Sequence, residues 1–253
     1  MKIATWNVNS LKVRLPHLLD WLHSEAPDAV CLQELKCEDK AFPLAEIEAA
    51  GYRAVFNGQK TYNGVAILSK LEATGVQRDI PGFADEQKRI IAATIGDVRV
   101  ISAYVVNGQA VGSEKYAYKL EWLAALTRWL QDELAAHPKL VLAGDYNIAP
   151  EDRDVHPDWQ DEILVSAPER AAFQGLLDLG LSDAFRLLEQ PEKIFSWWDY
   201  RMMAFRRNYG LRIDHLLVSQ ALVPSVARCW VDKAPRKLER PSDHAPVLVE
   251  IKA

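Results

Sequence analysis

The chain has only three cysteines, Cys31, Cys37 and Cys229. An odd count without zinc-type spacing excludes a paired disulfide framework, and it points to free thiols in a reducing cytoplasm. Cys31 lies inside an apolar run, where core packing is a simpler role than reactivity. No apolar stretch reaches membrane-spanning length. Met1 leads straight into a strand-like segment, with neither a basic leader nor a small-residue cleavage site. A Gly/Ser-rich linker is missing too. With 49% hydrophobic residues, the chain is therefore expected to form one domain over residues 1–253.

Net charge is also small. At −5 it argues mildly against a nonspecific nucleic-acid binder. Its distribution weakens that argument. Between Ile148 and Ile163 stand Glu151, Asp152, Asp154, Asp158, Asp161 and Glu162 with the single base Arg153, and this stretch carries the whole negative excess. Elsewhere the charges balance. Arg201, Arg206, Arg207 and Arg212 are interleaved with Trp197, Trp198, Tyr200, Phe205 and Tyr209. Such a pattern can grip a phosphate backbone and stack on bases, and a solvated face over core aromatics is the plainer alternative.

Hydrophobic periodicity alternates between strand and helix. Short apolar runs predict strands at 2–5, 29–33, 53–57, 65–69, 90–95, 98–105 and 140–143, then near 213–219, 225–231 and 246–251. Helices are expected over 15–25, with Pro16 in the first turn, and over 44–50, ended by Gly51. The clearest helix, over 114–134, carries Leu120, Leu123, Leu126, Leu130 and Leu134 behind Ser113 as N-cap, and another spans 169–179. The stretch 150–168 reads as a functional loop. Residues 3–9 and 141–147 echo each other faintly. Hairpin-joined strands with helices between them predict mixed sheets packed face to face, helices outside.

Polar residues stand at the ends of these apolar runs: Trp6-Asn7-Val8-Asn9, Leu32-Gln33-Glu34, Gly144-Asp145-Tyr146-Asn147, Arg212-Ile213-Asp214 and Ser242-Asp243-His244. Acids and amides at one edge of a core need partners to stay charged, and several together with one His suggest a hard-metal site that cuts a phosphate ester. Glu34 at a strand end suits Mg²⁺, although a solvent-facing acid is the alternative. Asp145 and Asn147, two apart on an extended segment, would face the same way and could activate and place a water; an Asx turn explains them equally well. Asp214 could orient His244 to stabilise charge on a pentavalent phosphate. The other five histidines read as surface, loop or core residues.

Taken in order, these motifs resemble the exonuclease III type of abasic-site endonuclease, within the endonuclease–exonuclease–phosphatase superfamily. The resemblance also covers Leu35-Lys36, Tyr62-Asn63-Gly64-Val65-Ala66, Ala103-Tyr104 to Asn107 and Gly112-Ser113-Glu114-Lys115, and closes with Ser242-Asp243-His244-Ala245-Pro246. It implies an α/β fold of the DNase I-like kind, a four-layered α/β sandwich with two mixed β-sheets and the site at one edge. By the same resemblance Glu34 is the main Mg²⁺ ligand (Mn²⁺ substituting), with Asn9 and Asp243 near it. Asp145 activates water, Asn147 helps place it, and Asn7 orients both carboxylates. His244, fixed by Asp214, binds the scissile phosphate with Tyr104 and Asn107. Lys36, Tyr62 and Arg89 match DNA-contacting positions, and Trp197, Arg206 and Arg212 would complete the DNA face.

Two departures stand out. Val106 replaces the usual Pro before Asn107, which would loosen that loop, and Leu211 stands where some relatives carry Trp. The implied activity is Mg²⁺-dependent incision 5′ to abasic sites and processing of 3′ ends, on double-stranded DNA with abasic sites, nicks or recessed 3′ ends, by a monomer without membrane contact. A 3′-end specialist gated by the acidic stretch is a second reading. A non-catalytic regulator is a third, disfavoured because the full polar set is present. Lipid phosphatases share the superfamily, but Gln33-Glu34-Leu35-Lys36 and Tyr62-Asn63-Gly64 fit the DNA branch better.

Overall fold

A computed structural model describes residues 1–252. In chain order its elements are β1 (Lys2–Asn7), α1 (Leu11–Glu25), β2 (Ala29–Gln33), α2 (Leu44–Ala49), β3 (Arg53–Asn57), β4 (Val65–Ser69), β5 (Ala73–Arg78) and β6 (Ile90–Ile95). There follow β7 (Val98–Tyr104), α3 (Glu114–Ala136), β8 (Leu140–Asp145), α4 (Ala167–Asp178), β9 (Leu181–Asp183), α5 (Ala204–Arg207), β10 (Asp214–Ser219), β11 (Val226–Val231) and β12 (Val247–Ile251).

The strands are apolar on both faces because both faces are covered. In β1, Ile3 points into the core between the sheets, while Ala4 and Trp6 meet Leu18, Trp21 and Leu22 of α1. In β8, Val141 and Ala143 face the inter-sheet core, and Leu142 meets Leu123, Leu126 and Leu130 of α3. This alternation gives helix, sheet, sheet and helix in four layers, as the sequence implies. Cys31 is fully buried in the inter-sheet core. The predicted N-cap holds: the Ser113 hydroxyl accepts from the Tyr116 N–H. In α4, Ser166 and Glu169 form a capping box.

Three details differ from expectation. Helix α1 starts at Leu11, so Pro16 lies inside it. Backbone bonds, with the Ser10 and Leu11 N–H groups donating to the Glu34 and Leu35 carbonyls, set its start rather than proline. Strand β5 went unread because it is a polar, exposed sheet edge, and β9 because it has three residues. Finally, the segment after β8 is not extended at Asn147, whose φ is +48°.

The two sheets repeat each other. One runs β11-β12-β1-β2-β4-β3 and the other β5-β6-β7-β8-β10-β9. In each, only the two central strands are parallel, β1 with β2 and β7 with β8, and each pair is joined by a helix, α1 or α3. So β1 corresponds to β7 and β2 to β8. The echo of 3–9 in 141–147 pairs the wrong strands, β1 with β8. The real correspondence sets Glu34, after β2, against Asp145, at the end of β8. It likewise matches Asn7 with Tyr104 at the ends of β1 and β7. Those four ends meet at one edge.

Candidate active site

The strands stop in strained turns at that edge. Asn9, Glu34 and Asn147 have φ of +44°, +53° and +48°. Asn tolerates this region, whereas Glu34 gives up about 1 kcal/mol or more there, strain that neighbouring structure must hold. That holding is visible: the Leu35 and Lys36 N–H groups donate to the Gly64 and Asn63 carbonyls, and the Val8 N–H to the Gln33 carbonyl. At β8, the close approach to β7 requires Gly144, because a Cβ there would lie 1.9 Å from the Ala103 carbonyl oxygen.

One amide ties the two strand-end carboxylates together. Asn7 is fully buried, and its Nδ2 donates to Glu34 Oε1 and to Asp145 Oδ2, both at 2.9 Å. Its Oδ1 accepts the Asn9 N–H. Asp145 Oδ1 accepts the Asn147 N–H at 2.9 Å, an Asx turn. The Asx-turn alternative is therefore what the structure has, and it brings the two side chains together without the extended geometry expected. Asn147 Nδ2 donates to the Val105 carbonyl, and its Oδ1 accepts from Asn107 Nδ2.

Opposite stands His244, buried before β12, with Nδ1 at 2.9 Å from Asp214 Oδ2 and Nε2 at 3.7 Å from Asp145 Oδ2. Burial alone would lower the pKa of its ring, but Asp214 first, then Asp145, raise it well above the usual histidine value. Burial, with Asp214 adding to it, pushes the Asp145 carboxyl up, against the pull of His244 and Asn7. Glu34 goes the other way: burial raises it, and Lys36, Asn7 and His244 outweigh that, leaving it below the usual range. Two carboxylates 2.9 Å from one amide thus have their pKa values pushed in opposite directions by their surroundings.

Glu34, Asp145 and His244 present ligand atoms within 4.8 Å of one another. The two carboxylates in this set offer oxygen donors, which suit a hard divalent cation. Lys36 supports this: its Nζ sits 2.9 Å from Glu34 Oε2 and 2.5 Å from Asn9 Oδ1, a cation between those two groups. Asp243 lies outside the cluster. Its oxygens accept from Asn9 Nδ2 at 2.9 Å and Trp197 Nε1 at 3.0 Å, so it orients Asn9 and the indole.

Tyr104 is flanked by Glu34 and Asp145, and burial followed by these two acids keeps its hydroxyl protonated. Arg89 lies in the wall of an open cleft. It is buried, stacks 4.7 Å over the Tyr104 ring, and donates to Gln87 and to the Tyr104 carbonyl. Beside it opens a cavity of about 670 Å³ lined by Tyr62, Asn63, Asn107 and Lys115. Tyr62 is 67% exposed at its rim, and Asn107 is exposed. Val106 does not loosen this loop, because its side chain is buried in the core beneath α3.

Arg212 is the clear correction. It is 1% exposed and cannot meet DNA. Its guanidinium pairs with Asp154 at 2.7 Å and Asp183 at 2.8 Å, and contacts His215. Asp154 also pairs with Arg186. Apolar neighbours on both sides of Arg212 were the missed signal of burial. Arg206 is exposed on α5, as expected. Of the two tryptophans, Trp198 is fully buried and Trp197 half-buried. Trp197 is flanked edge-on at 6.0 Å by Trp159 of the acidic stretch, a neighbour that composition concealed.

The profile of the Endonuclease/Exonuclease/phosphatase family matches residues 4–244. Over the full length of both chains, the sequence is 38% identical to exodeoxyribonuclease III of Haemophilus influenzae. The 3′ phosphatase NExo from Neisseria, solved bound to a product DNA hairpin, superposes with a TM-score of 0.98 at 49% identity, each chain covered in full. An AP endonuclease from Archaeoglobus fulgidus gives 0.96 at 38% identity, again over both full chains. With its two repeated sheets and the acid, amide and imidazole groups at their shared edge, the chain belongs to the endonuclease/exonuclease/phosphatase family.

Proposed function

We propose that this chain is a Mg²⁺-dependent DNA repair nuclease of the exonuclease III type, which incises 5′ to abasic sites and processes 3′ ends. The observation that carries the reading is the Asn7 amide shared between Glu34 and Asp145, opposite the His244–Asp214 pair. Glu34, with Asn9 beside it, would hold the cation, with Mn²⁺ able to replace Mg²⁺. A bound cation there supplies charge neutralisation at the scissile phosphate.

The protein's own residues do the rest. Asp145, kept basic by its raised pKa, takes a proton from water, Asn147 helps place that water, and Asn107 contacts the phosphate. The His244 imidazolium, held by Asp214, donates to a non-bridging oxygen as negative charge builds. Tyr104 donates to the phosphate from its protonated hydroxyl. Trp197, packed on Trp159, forms an apolar wall for an extruded sugar, whose unstacking costs least when its base is missing. Lys36, Tyr62 and Arg206 meet the backbone. The protein works in the cytoplasm as a monomeric single domain over residues 1–253.

A second reading has its own observation. The five exposed acids between Glu151 and Glu162 lie on the stretch that carries Trp159, where negative charge would repel a continuing strand and favour 3′ ends. The test uses three labelled duplexes with Mg²⁺: an internal abasic site, a recessed 3′-hydroxyl and a nicked 3′-phosphate. Rapid abasic incision abolished by EDTA supports the general repair enzyme, and cutting confined to 3′ ends supports the specialist. Binding without cleavage of any duplex defeats both.

A further inference from the structure

Beneath the two site asparagines lies a buried ion pair that no step above uses. Lys119 of α3 and Glu169 of α4 are both 0% exposed, with Nζ to Oε1 at 2.5 Å. Lys119 Nζ also donates to the main-chain carbonyls of Asn147 at 2.7 Å and Asn107 at 3.2 Å. Glu169 in turn accepts the N–H groups of Leu164 and Ser166, where the acidic stretch ends.

A buried pair of this kind is a poor source of stability, because desolvating two charges offsets most of their attraction. Burial accordingly lowers the Lys119 pKa from its ordinary value, with Glu169 and Asp145 working against that. What the pair does supply is direction. Three donors on one ammonium are spent on one carboxylate and two carbonyls that belong to the residues bearing the site's amides. Those amides are bonded to each other and, through the Asn147 N–H, to Asp145.

We infer that Lys119 and Glu169 act as a positioning pair, which fixes the loops of Asn107 and Asn147 relative to each other and to the end of the acidic stretch. The inference rests on the nuclease reading. If the wild-type protein cuts none of the three duplexes, that reading fails before any variant is made. The test then uses whichever duplex is cut best. Lys119→Met/Glu169→Gln removes both charges and leaves an amide oxygen for the Ser166 cap. The expected result is a KM within about threefold of wild type and a kcat lower by roughly 10- to 100-fold, the scale of a small misplacement of reacting groups. That loss should not add to the loss in Asn147→Ala, because both act through one group. A folded variant with wild-type kcat, or losses that multiply with Asn147→Ala, would overturn the proposal. Should the double variant not fold, Lys119→Arg keeps the charge but displaces both carbonyls. It is expected to lower kcat at unchanged KM, and a wild-type kcat in it overturns the proposal equally.

Discussion

Asn7 gives the residue scale its logic: a single neutral amide donates to both strand-end carboxylates and so lets them lie close without sharing a proton. Their division of labour then depends on neighbours, Lys36 for Glu34 and the Asp214–His244 pair for Asp145. Glu34→Ala should lower metal-dependent turnover by orders of magnitude with DNA affinity nearly intact, as measured by single-turnover kinetics and filter binding. His244→Ala and Asp214→Ala should be strongly non-additive, since Asp214 acts by holding the ring; additive losses in kcat would separate them. At this scale the sequence was informative, because Asn7, Glu34 and Asp145 stand where apolar strands stop, and Asp214 and His244 stand at or just before the start of two others. It was less so for Arg89 and Arg212, whose charge suggests solvent while their side chains are buried. Arg89 is held by its near neighbour Gln87, whereas the partners of Arg212, Asp154 and Asp183, lie 58 and 29 residues away, where only its apolar neighbours hint at burial.

Elements place these residues, and one irregular element matters as much as any strand. The acidic stretch is pinned at both ends: Asp154 is buried against Arg212 and Arg186, and Leu164 is held by Glu169. Backbone bridges continue from Val155 to Leu211, to Trp197 and to His244. Asp154→Ala would leave Arg212 with one counter-charge in place of two, a change costing about 3–5 kcal/mol when a buried pair is broken. The expected outcome is a lower thermal midpoint together with faster amide exchange across residues 151–163. An unchanged exchange pattern would mean the stretch is held by its aromatics alone. Helices and central strands were legible from periodicity, but this stretch was not, since five of its acids are exposed and the sixth, structurally decisive, looks the same in the sequence.

Across the whole molecule, stability and architecture follow from the same buried network and from the repeat. Burial first, then Arg212, lowers the His215 pKa to about 4, against the attraction of Asp183 and Asp154. Its folded pKa lies below the unfolded value of about 6.5, so the unfolded chain binds the extra proton between those values. Stability from this group is complete above about pH 6.5 and is lost as pH falls toward 4. Urea midpoints at pH 7 and pH 5 should differ less in His215→Gln than in the wild-type protein. The four-layered architecture was readable from alternating elements, whereas the pairing of its repeats was not, because the correspondence runs through strand order and leaves little trace in residue identity. The way the sheets share the chain has a further effect. The second sheet is built from one continuous run, β5 to β10, while the first is assembled from the two extremities, β11 and β12 joining β1 to β4. Met1 and Ile251 already bond to each other, the Ile251 N–H donating to the Met1 carbonyl at 2.8 Å. Ligating the ends through a short linker and opening the exposed Gln220–Ala221 turn would set both halves in series, each uninterrupted. Such a circular permutant should fold and keep its nuclease activity, with each half contributing one of the two strand-end carboxylates.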